Sequence, residues 1–371
     1  MRFVIFTHSL ISDWNHGNAH FLRGIATDLV ERGHEVRIFE PQDGWSLQNL
    51  MAEHGEAAVS AFEQAYPRIR SEFYDPASLD FEQALHGAQV AIVHEWNSHD
   101  LVSCIGTYRS LHPELQLFFH DTHHRSVTDP DSMAAYDLRH YDGVLAYGSV
   151  IRDLYWRRRW AKEAWTWHEA ADTRVFHPHA APEKSGDLVW IGNWGDDERS
   201  QEIREFLIEP VRTLGLKACV YGVRYPRQAL EQLAAAGIEY GGWLPNYRVP
   251  EVFSRFKVTV HIPRRPYVRA LPGIPTIRPF EALACGIPLI SAPWDDAEGL
   301  FRPGRDFLFA HDGAEMALQL ESVLSDTALA RSLVESGLDT IRSRHTCTHR
   351  VDELLAIAGA NRELAAAEGV H

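Results

Sequence analysis

Short apolar runs alternate with amphipathic stretches along most of this chain, and that alternation restricts its fold more than any other feature. "RFVIFTH" reads as a strand, "GNAHFLRGIATDLVERG" as an amphipathic helix stopped by Gly33, and "HEVRIFEP" as a second strand. "AQVAIVHE", "LQLFFHD" and "GVLAYG" continue the series, each followed by polar residues and then a helical pattern. Apolar strands joined through helices imply a parallel sheet covered on both faces. The rhythm pauses at "FHPHAAPEKSGD", a polar linker containing proline, and restarts with "LVWIG", "KACVYGV", "IEYGG", "KVTVHI", "IPLISA" and "FLF". The expectation is an α/β chain of two doubly wound, Rossmann-like domains, residues 1–178 and 179–346, facing a central cleft. From about Leu318 onward the chain reads as helix without strands.

Composition narrows the function. A chain of 371 residues can build two cores, and its net charge of −15 argues against a general nucleic-acid binder, which needs a basic face. No stretch approaches the roughly 20 apolar residues of a membrane span, and the first residues lack a cleavable signal pattern. Cys104, Cys219, Cys285 and Cys347 lie far apart without a C-x-x-C pair, as expected of reduced, mostly buried thiols in a cytoplasmic protein.

In doubly wound domains the chemistry gathers at the carboxyl ends of the strands. After the first strand, Gly17 and Asn18 open a helix whose unpaired N–H groups suit a phosphate, although a plain helix start explains them as well. No G-x-G-x-x-G fingerprint follows a strand. His94, Glu95, Trp96 and Asn97 follow "AQVAIV"; His120, Asp121, His123 and His124 follow "LQLFF". A metal would need the three histidines of "HDTHH" on one helical face, and a segment directly after a strand reads better as loop. A strand-end histidine suits an anionic or hydroxyl-rich ligand. Asp129 of "DPD" reads as a helix cap. "DLYWRRRWAKEAWTWHE" mixes three arginines with Trp156, Trp160, Trp165 and Trp167. That mixture suits a weak peripheral membrane contact or an acceptor; the plainer reading is a helix with a solvated basic side, then a strand burying Trp165 and Trp167.

"RPFEALACGIPLISAP", residues 278–293, reads as a two-turn helix with Pro279 at its first position, Glu281 in its first turn and Gly286 as its stop, followed by a buried strand. The helix dipole alone would favour a glutamate there.

Taken in order, these segments resemble a large family of retaining glycosyltransferases with the GT-B fold, which includes bacterial glycogen synthases and mannosyltransferases. "GNAHFLRGIATDLVERGHEVRIF" is similar to the family's glycine loop, first helix and following turn. "VHEWN" and "FFHD" look like its active-site strand ends, and "EAADTRVFHP" resembles its interdomain hinge. "YGGWLPNYRVPEVFSRFKVTVHI" and "RPFEALACGIPLISAPWDDAEGLF" resemble its donor-binding segments. The wording of "RPFEALACG" and "RHTCTHRVDELL" is most similar to the spore-maturation-protein-like subgroup. The resemblance implies that Glu281 accepts the ribose hydroxyls of a nucleotide-sugar, and that Arg278, Arg199 and the helix end hold its diphosphate. It implies that Leu244 lies by the base, that His120 contacts the sugar, and that Gly17 and Asn18 approach the donor closely. The acceptor, whether saccharide, lipid, protein or small molecule, would lie near Glu95, Trp96 and Asp121. The donor is a co-substrate, and no cofactor or metal is implied. Two positions depart from the family: Gly273 stands where a sugar-contacting glutamate is usual, and Asn193 where an arginine is usual, so that Arg264 or Arg265 would share the work. A nucleotide-sugar 2-epimerase and a catalytically silent binding subunit of the same fold remain as alternatives. The last helix, residues 347–371, is expected to return to the first domain, with Val351, Leu354, Leu355, Ala358 and Leu364 on its apolar side.

Overall fold

The computed structural model describes residues 1–180 and 183–368, with side chains described as far as residue 361. It divides into two compact units, one of Met1–Glu169 with Cys347–His371, the other of Ala170–Thr346. The second unit begins before the polar linker expected at residue 178. Ala171 bridges to Thr346, its N–H donates to the His345 carbonyl at 3.0 Å, and Phe176 is buried in the second unit's core. Apolar burial, rather than the prolines and charges further on, decides where the unit starts.

In the first unit the described residues form a seven-stranded parallel sheet. Its strands are β1 (Arg2–Phe6), β2 (Glu35–Pro41), β3 (Ser71–Tyr74), β4 (Val90–His94), β5 (Gln116–Asp121), β6 (Gly143–Ala146) and β7 (Ala164–Thr166), in the order β3-β2-β1-β4-β5-β6-β7. β1, β4, β5 and β6 are almost wholly buried and read as continuous apolar runs. β3 escapes the sequence reading because "SEFY" is an exposed edge with one buried residue. β7 brings Trp165 to the sheet, and Trp167 just beyond it is 1% exposed, in line with the plainer reading of that segment.

The second unit holds a six-stranded sheet, β8 (Leu188–Ile191), β9 (Ala218–Tyr221), β10 (Glu239–Tyr240), β11 (Val258–His261), β12 (Leu289–Ser291) and β13 (Leu308–Phe309), in the order β10-β9-β8-β11-β12-β13. Apolar cores cover both faces, one built on Trp190, Leu207 and Val260, the other on Phe280, Leu283 and Phe307. In each sheet the strand order reverses once, between β1 and β4 and between β8 and β11. Such switch points open a crevice at the strand C-termini.

The terminal helix Cys347–Glu368 packs on the helix Ala19–Glu31 of the first unit. Val351, Leu354 and Ala358 are buried, Leu355 is half-buried, and Leu364 lies outside the described side chains. Trp167 Nε1 donates to the Arg350 carbonyl at 2.8 Å, and Gln116 Nε2 to the Ala358 carbonyl at 2.8 Å. Among the described residues no helix is long and apolar enough to cross a membrane. Three of the cysteines are buried and Cys104 is exposed; all are free thiols.

Candidate active site

The second unit gathers its charge at the β8–β11 switch point. Arg199 follows the short turn Asp196–Glu198, and its guanidinium reaches over the Trp190 ring at 5.2 Å. It donates to the Ile262 carbonyl at 3.0 Å and to the Asn193 carbonyl, and among the described residues no carboxylate pairs with it. Burial, and then the charges of Arg264 and Arg278, pull its pKa down from 12.5 to about 9. A guanidinium desolvated among like charges is stabilised by an anion that supplies the missing charge. Arg264 and Arg265 are already paired, Arg264 with Glu198 at 3.0 Å and Arg265 with Glu202 at 3.0 Å. Asn193, in the place of a family arginine, accepts the Val223 N–H at 2.9 Å through its side-chain oxygen and so holds the loop.

His261 ends β11 beside this cluster. Its Nδ1 meets Ser291 Oγ at 2.9 Å. Burial, with Arg199 and Arg278 adding their charges, pushes its pKa down to about 3, so the ring is neutral. Its signal in the sequence was only its place as the last strand residue, and the sequence reading passed over it.

The helix carrying Glu281 starts earlier than expected. It runs Ile277–Cys285, so that Pro279 is its third residue and Glu281 its fifth, beyond the first turn. Gly286 caps it in the left-handed conformation at φ 67°, as expected. Thr276, just before the helix, holds φ 63°, a strained value for a β-branched residue. Glu281 is wholly buried, and both carboxylate oxygens are occupied: Asn246 Nδ2 donates to one at 2.7 Å and Arg278 pairs with the other. The glutamate therefore organises Arg278 and Asn246 instead of presenting an open edge. Asn246 has no apolar or charge pattern around it that would have marked it in the sequence. Leu244, two residues earlier, is half-buried against the Phe280 core. Gly273 holds φ 89°, and a Cβ there would lie 2.7 Å from Glu298 Cγ, so no side chain fits without displacing Glu298.

The first unit places its polar residues at the β1–β4 switch point. His8 and His16 meet edge to face with centroids 4.0 Å apart, His94 lies 5.3 Å from His8, and His120 lies 5.4 Å from His94. Burial pushes the pKa values of His8 and His120 to about 3 and those of His16 and His94 well below 6.5, which leaves the group neutral. His120 is fully buried between Phe21, His94 and Trp167, and neither ring nitrogen has a hydrogen-bond partner among the described residues. Burying such a group without partners is costly.

Of the residues expected on the acceptor side, only Trp96 reaches the surface, at 43% exposure. Glu95 and Asp121 are sealed. Glu95 accepts the Thr122 N–H at 2.8 Å; Asp121 accepts Ser126 Oγ at 2.5 Å and Tyr155 Oη at 3.0 Å. Burial raises both carboxyl pKa values, that of Glu95 well above the usual range with the Asp121 charge adding to it. Arg125, missed in the sequence, locks Trp96 in place: its guanidinium lies 4.6 Å from the ring and donates to the Glu95 carbonyl at 3.2 Å. Gly17 is exposed, while Asn18 turns its amide to Glu169 at 2.7 Å and makes no side-chain cap. Among the described residues no three His, Cys, Asp or Glu side chains are grouped to hold a metal ion.

Residues 199–356, which include Arg199, His261, Arg278 and Glu281, match the family described as glycosyl transferase-like. No functionally curated protein matches the sequence. Among solved structures, the sucrose-phosphate synthase of Thermosynechococcus elongatus is 15% identical with a TM-score of 0.66, over 99% of this chain and 100% of that one. HepE of Anabaena, in complex with UDP and glucose, is 13% identical with a TM-score of 0.65, over 97% and 100%. An α-glucosyltransferase in complex with UDP and a 13-mer DNA is 12% identical with a TM-score of 0.68, over 97% and 99%. At these identities the likeness establishes the fold alone, the GT-B architecture of two parallel-sheet, Rossmann-like units.

Proposed function

We propose that the protein transfers a sugar from a nucleotide-diphosphate donor to an acceptor, with retention of configuration and without a metal ion. The observation that carries this reading is Arg199: a buried guanidinium beside Arg264 and Arg278, without a carboxylate of its own, inside the glycosyltransferase-like match. Loss of a nucleoside diphosphate puts negative charge on the leaving phosphate, and fixed cations lower that barrier without having to reorganise. Arg199 and Arg278 take this role, with Asn246 and Glu281 holding Arg278 in place. Neutral His261 donates no charge but fills the wall beside them. In the first unit, the family resemblance gives the sugar hydroxyls to His120, whose neutral ring has one donor and one acceptor without partners among the described residues, so that the sealed ring must be uncovered for the sugar to reach it. Trp96 offers an aromatic face to the acceptor. Retention follows from the family resemblance, as does a place in the spore-maturation-protein-like subgroup.

The solved relatives that hold UDP make UDP-glucose the first donor to test. T4 phage BGT, of the same fold, was solved with UDP and Mn2+, so the metal question needs its own experiment. Calorimetric titration with UDP and UDP-glucose, followed by NMR of the incubated donor with and without EDTA, tests the reading. Binding, with UDP released and the glycosyl product in its original configuration in EDTA, is the expected result. Activity lost to EDTA and restored by manganese would refute metal independence. Conversion of the donor alone to its 2-epimer would make the protein an epimerase. Binding without any turnover would favour a silent subunit, a reading kept open by Asn193 serving its loop and by Gly273 leaving no room for a side chain.

A further inference from the structure

The helix Ser149–Arg158 of the first unit ends in an exposed surface that holds none of the residues assigned above to the transfer reaction. Across residues 152–163 stand five basic side chains against two carboxylates, in a chain whose net charge is −15. Trp156 is 46% exposed, with the Arg152 guanidinium 4.9 Å from its ring. Among the described residues Arg157 donates only to the Asp153 carbonyl, at 3.3 Å. Arg158, Arg159 and Lys162 are exposed and make no side-chain hydrogen bond or ion pair among the described residues. Elsewhere in the unit exposed arginines are commonly paired, as Arg68 is with Glu31 and Arg139 with Asp137.

Local folding does not explain this concentration of charge. A helix C-terminus favours a cation, but its partial charge of about half a unit does not call for four. Arg159 moreover holds φ 54°, a left-handed value that favours glycine, and ends the helix with a long charged side chain. Trp160 folds back onto Tyr155, with ring centroids 5.6 Å apart, so Trp156 alone projects from the cationic rim.

We propose that this helix end docks the protein on an anionic phospholipid surface. Lysine and arginine gain from the negative potential of anionic headgroups, and tryptophan prefers the boundary between headgroup and acyl chain. A protruding helix end can touch a flat surface over these few residues. A nucleic acid strand would instead require a basic groove that follows its backbone, and the rest of this chain is acidic. With one aromatic anchor and about four cations, the contact is weak, reversible and dependent on salt. The inference is independent of the sugar-transfer reading.

Sedimentation of the whole protein with vesicles tests it. Phosphatidylcholine vesicles containing about one third phosphatidylglycerol should bind the protein at low salt, and phosphatidylcholine alone should not. Binding should be lost in about 0.5 M salt, where screening reaches within a few ångströms. The double variant R158E/R159E should bind about thirtyfold more weakly or worse, and Trp156→Ala should weaken binding while leaving the salt dependence in place. R227E/R248E in the second unit changes the net charge equally on exposed side chains and should bind as the wild type does. All variants should melt within a few degrees of the wild type, since the contacts they remove, the Arg152–Trp156 stack and the exposed Arg227–Glu231 and Arg248–Glu251 pairs, are each worth only about 1 kcal/mol or less. Equal binding to both vesicle types, failure of the wild type to bind anionic vesicles, or unchanged binding by R158E/R159E would each overturn the proposal. So would single-stranded DNA that competes the protein off the vesicles at lower concentration than soluble phosphatidylglycerol.

Discussion

For Glu281, a first-turn position held by the helix dipole alone would contribute only about 0.3–1 kcal/mol to the unliganded protein. Its actual position reverses that expectation. The carboxylate is wholly buried, and Glu281→Ala removes the partner of Arg278 and of Asn246 in one step. Breaking a buried ion pair costs about 3–5 kcal/mol, and the 17% exposure of the Arg278 side chain lets water recover part of it, which leaves about 2–4 kcal/mol. For a unit of this size each kcal/mol lowers Tm by about 2–4 °C, so the variant should melt roughly 5–15 °C below the wild type without any ligand. Glu281→Gln keeps an acceptor for Asn246 and should lose about 1–3 kcal/mol, the value of a charged hydrogen bond. Thermal unfolding followed by circular dichroism measures both, and Arg278→Ala with the double variant completes a cycle whose coupling should reach about 1–3 kcal/mol. UDP affinity, taken well below the lowered Tm, then separates the two roles of the glutamate. An unchanged Tm in Glu281→Ala would show that burial and pairing here are not what hold Arg278, and the argument from geometry would fail.

Three further outcomes follow. His8, His120 and His261 have folded pKa values near 3 against 6.5 when unfolded, so each contributes stability that is complete above about pH 6.5 and is lost as pH falls toward 3. Stability should therefore drop between pH 6.5 and 4.5, by up to about 1.4 kcal/mol per pH unit for each ring, with Tm falling in step, and His120→Gln should flatten the slope; a level Tm across that range would contradict the burial of neutral rings. Removing the chain from Thr348 onward takes away Val351, Leu354 and Ala358 and the carbonyls that receive Trp167 and Gln116, so calorimetry should show the first unit melting earlier or not folding at all. Gly273→Glu, which restores the family's residue, should lower Tm and leave UDP-glucose affinity no tighter, because φ 89° and Glu298 exclude the new side chain; a stable variant with tighter binding would mean that the loop yields.

The two doubly wound units were legible because their strands are buried on both faces. That burial forces continuous apolar runs such as those of β4, β5 and β8, and a run is visible without knowing what it packs against. β3, half-exposed at a sheet edge, carries no such run and was missed. The sequence likewise placed the candidate residues at strand ends, and the resemblance singled out Arg199, Arg278 and Glu281. What it could not supply was the state of each side chain. Glu281 and Asp121 have the same chemistry as any exposed carboxylate, and only their neighbours, Arg278 and Asn246 for one, Ser126 and Tyr155 for the other, turn them inward. Trp96 became a surface group, and His120 a sealed one, through contacts with residues more than 25 positions away in the chain. Periodicity records whether a residue is apolar, which local sequence determines; burial, partner and protonation of a polar group are sums over distant contacts, and only the tertiary structure decides them.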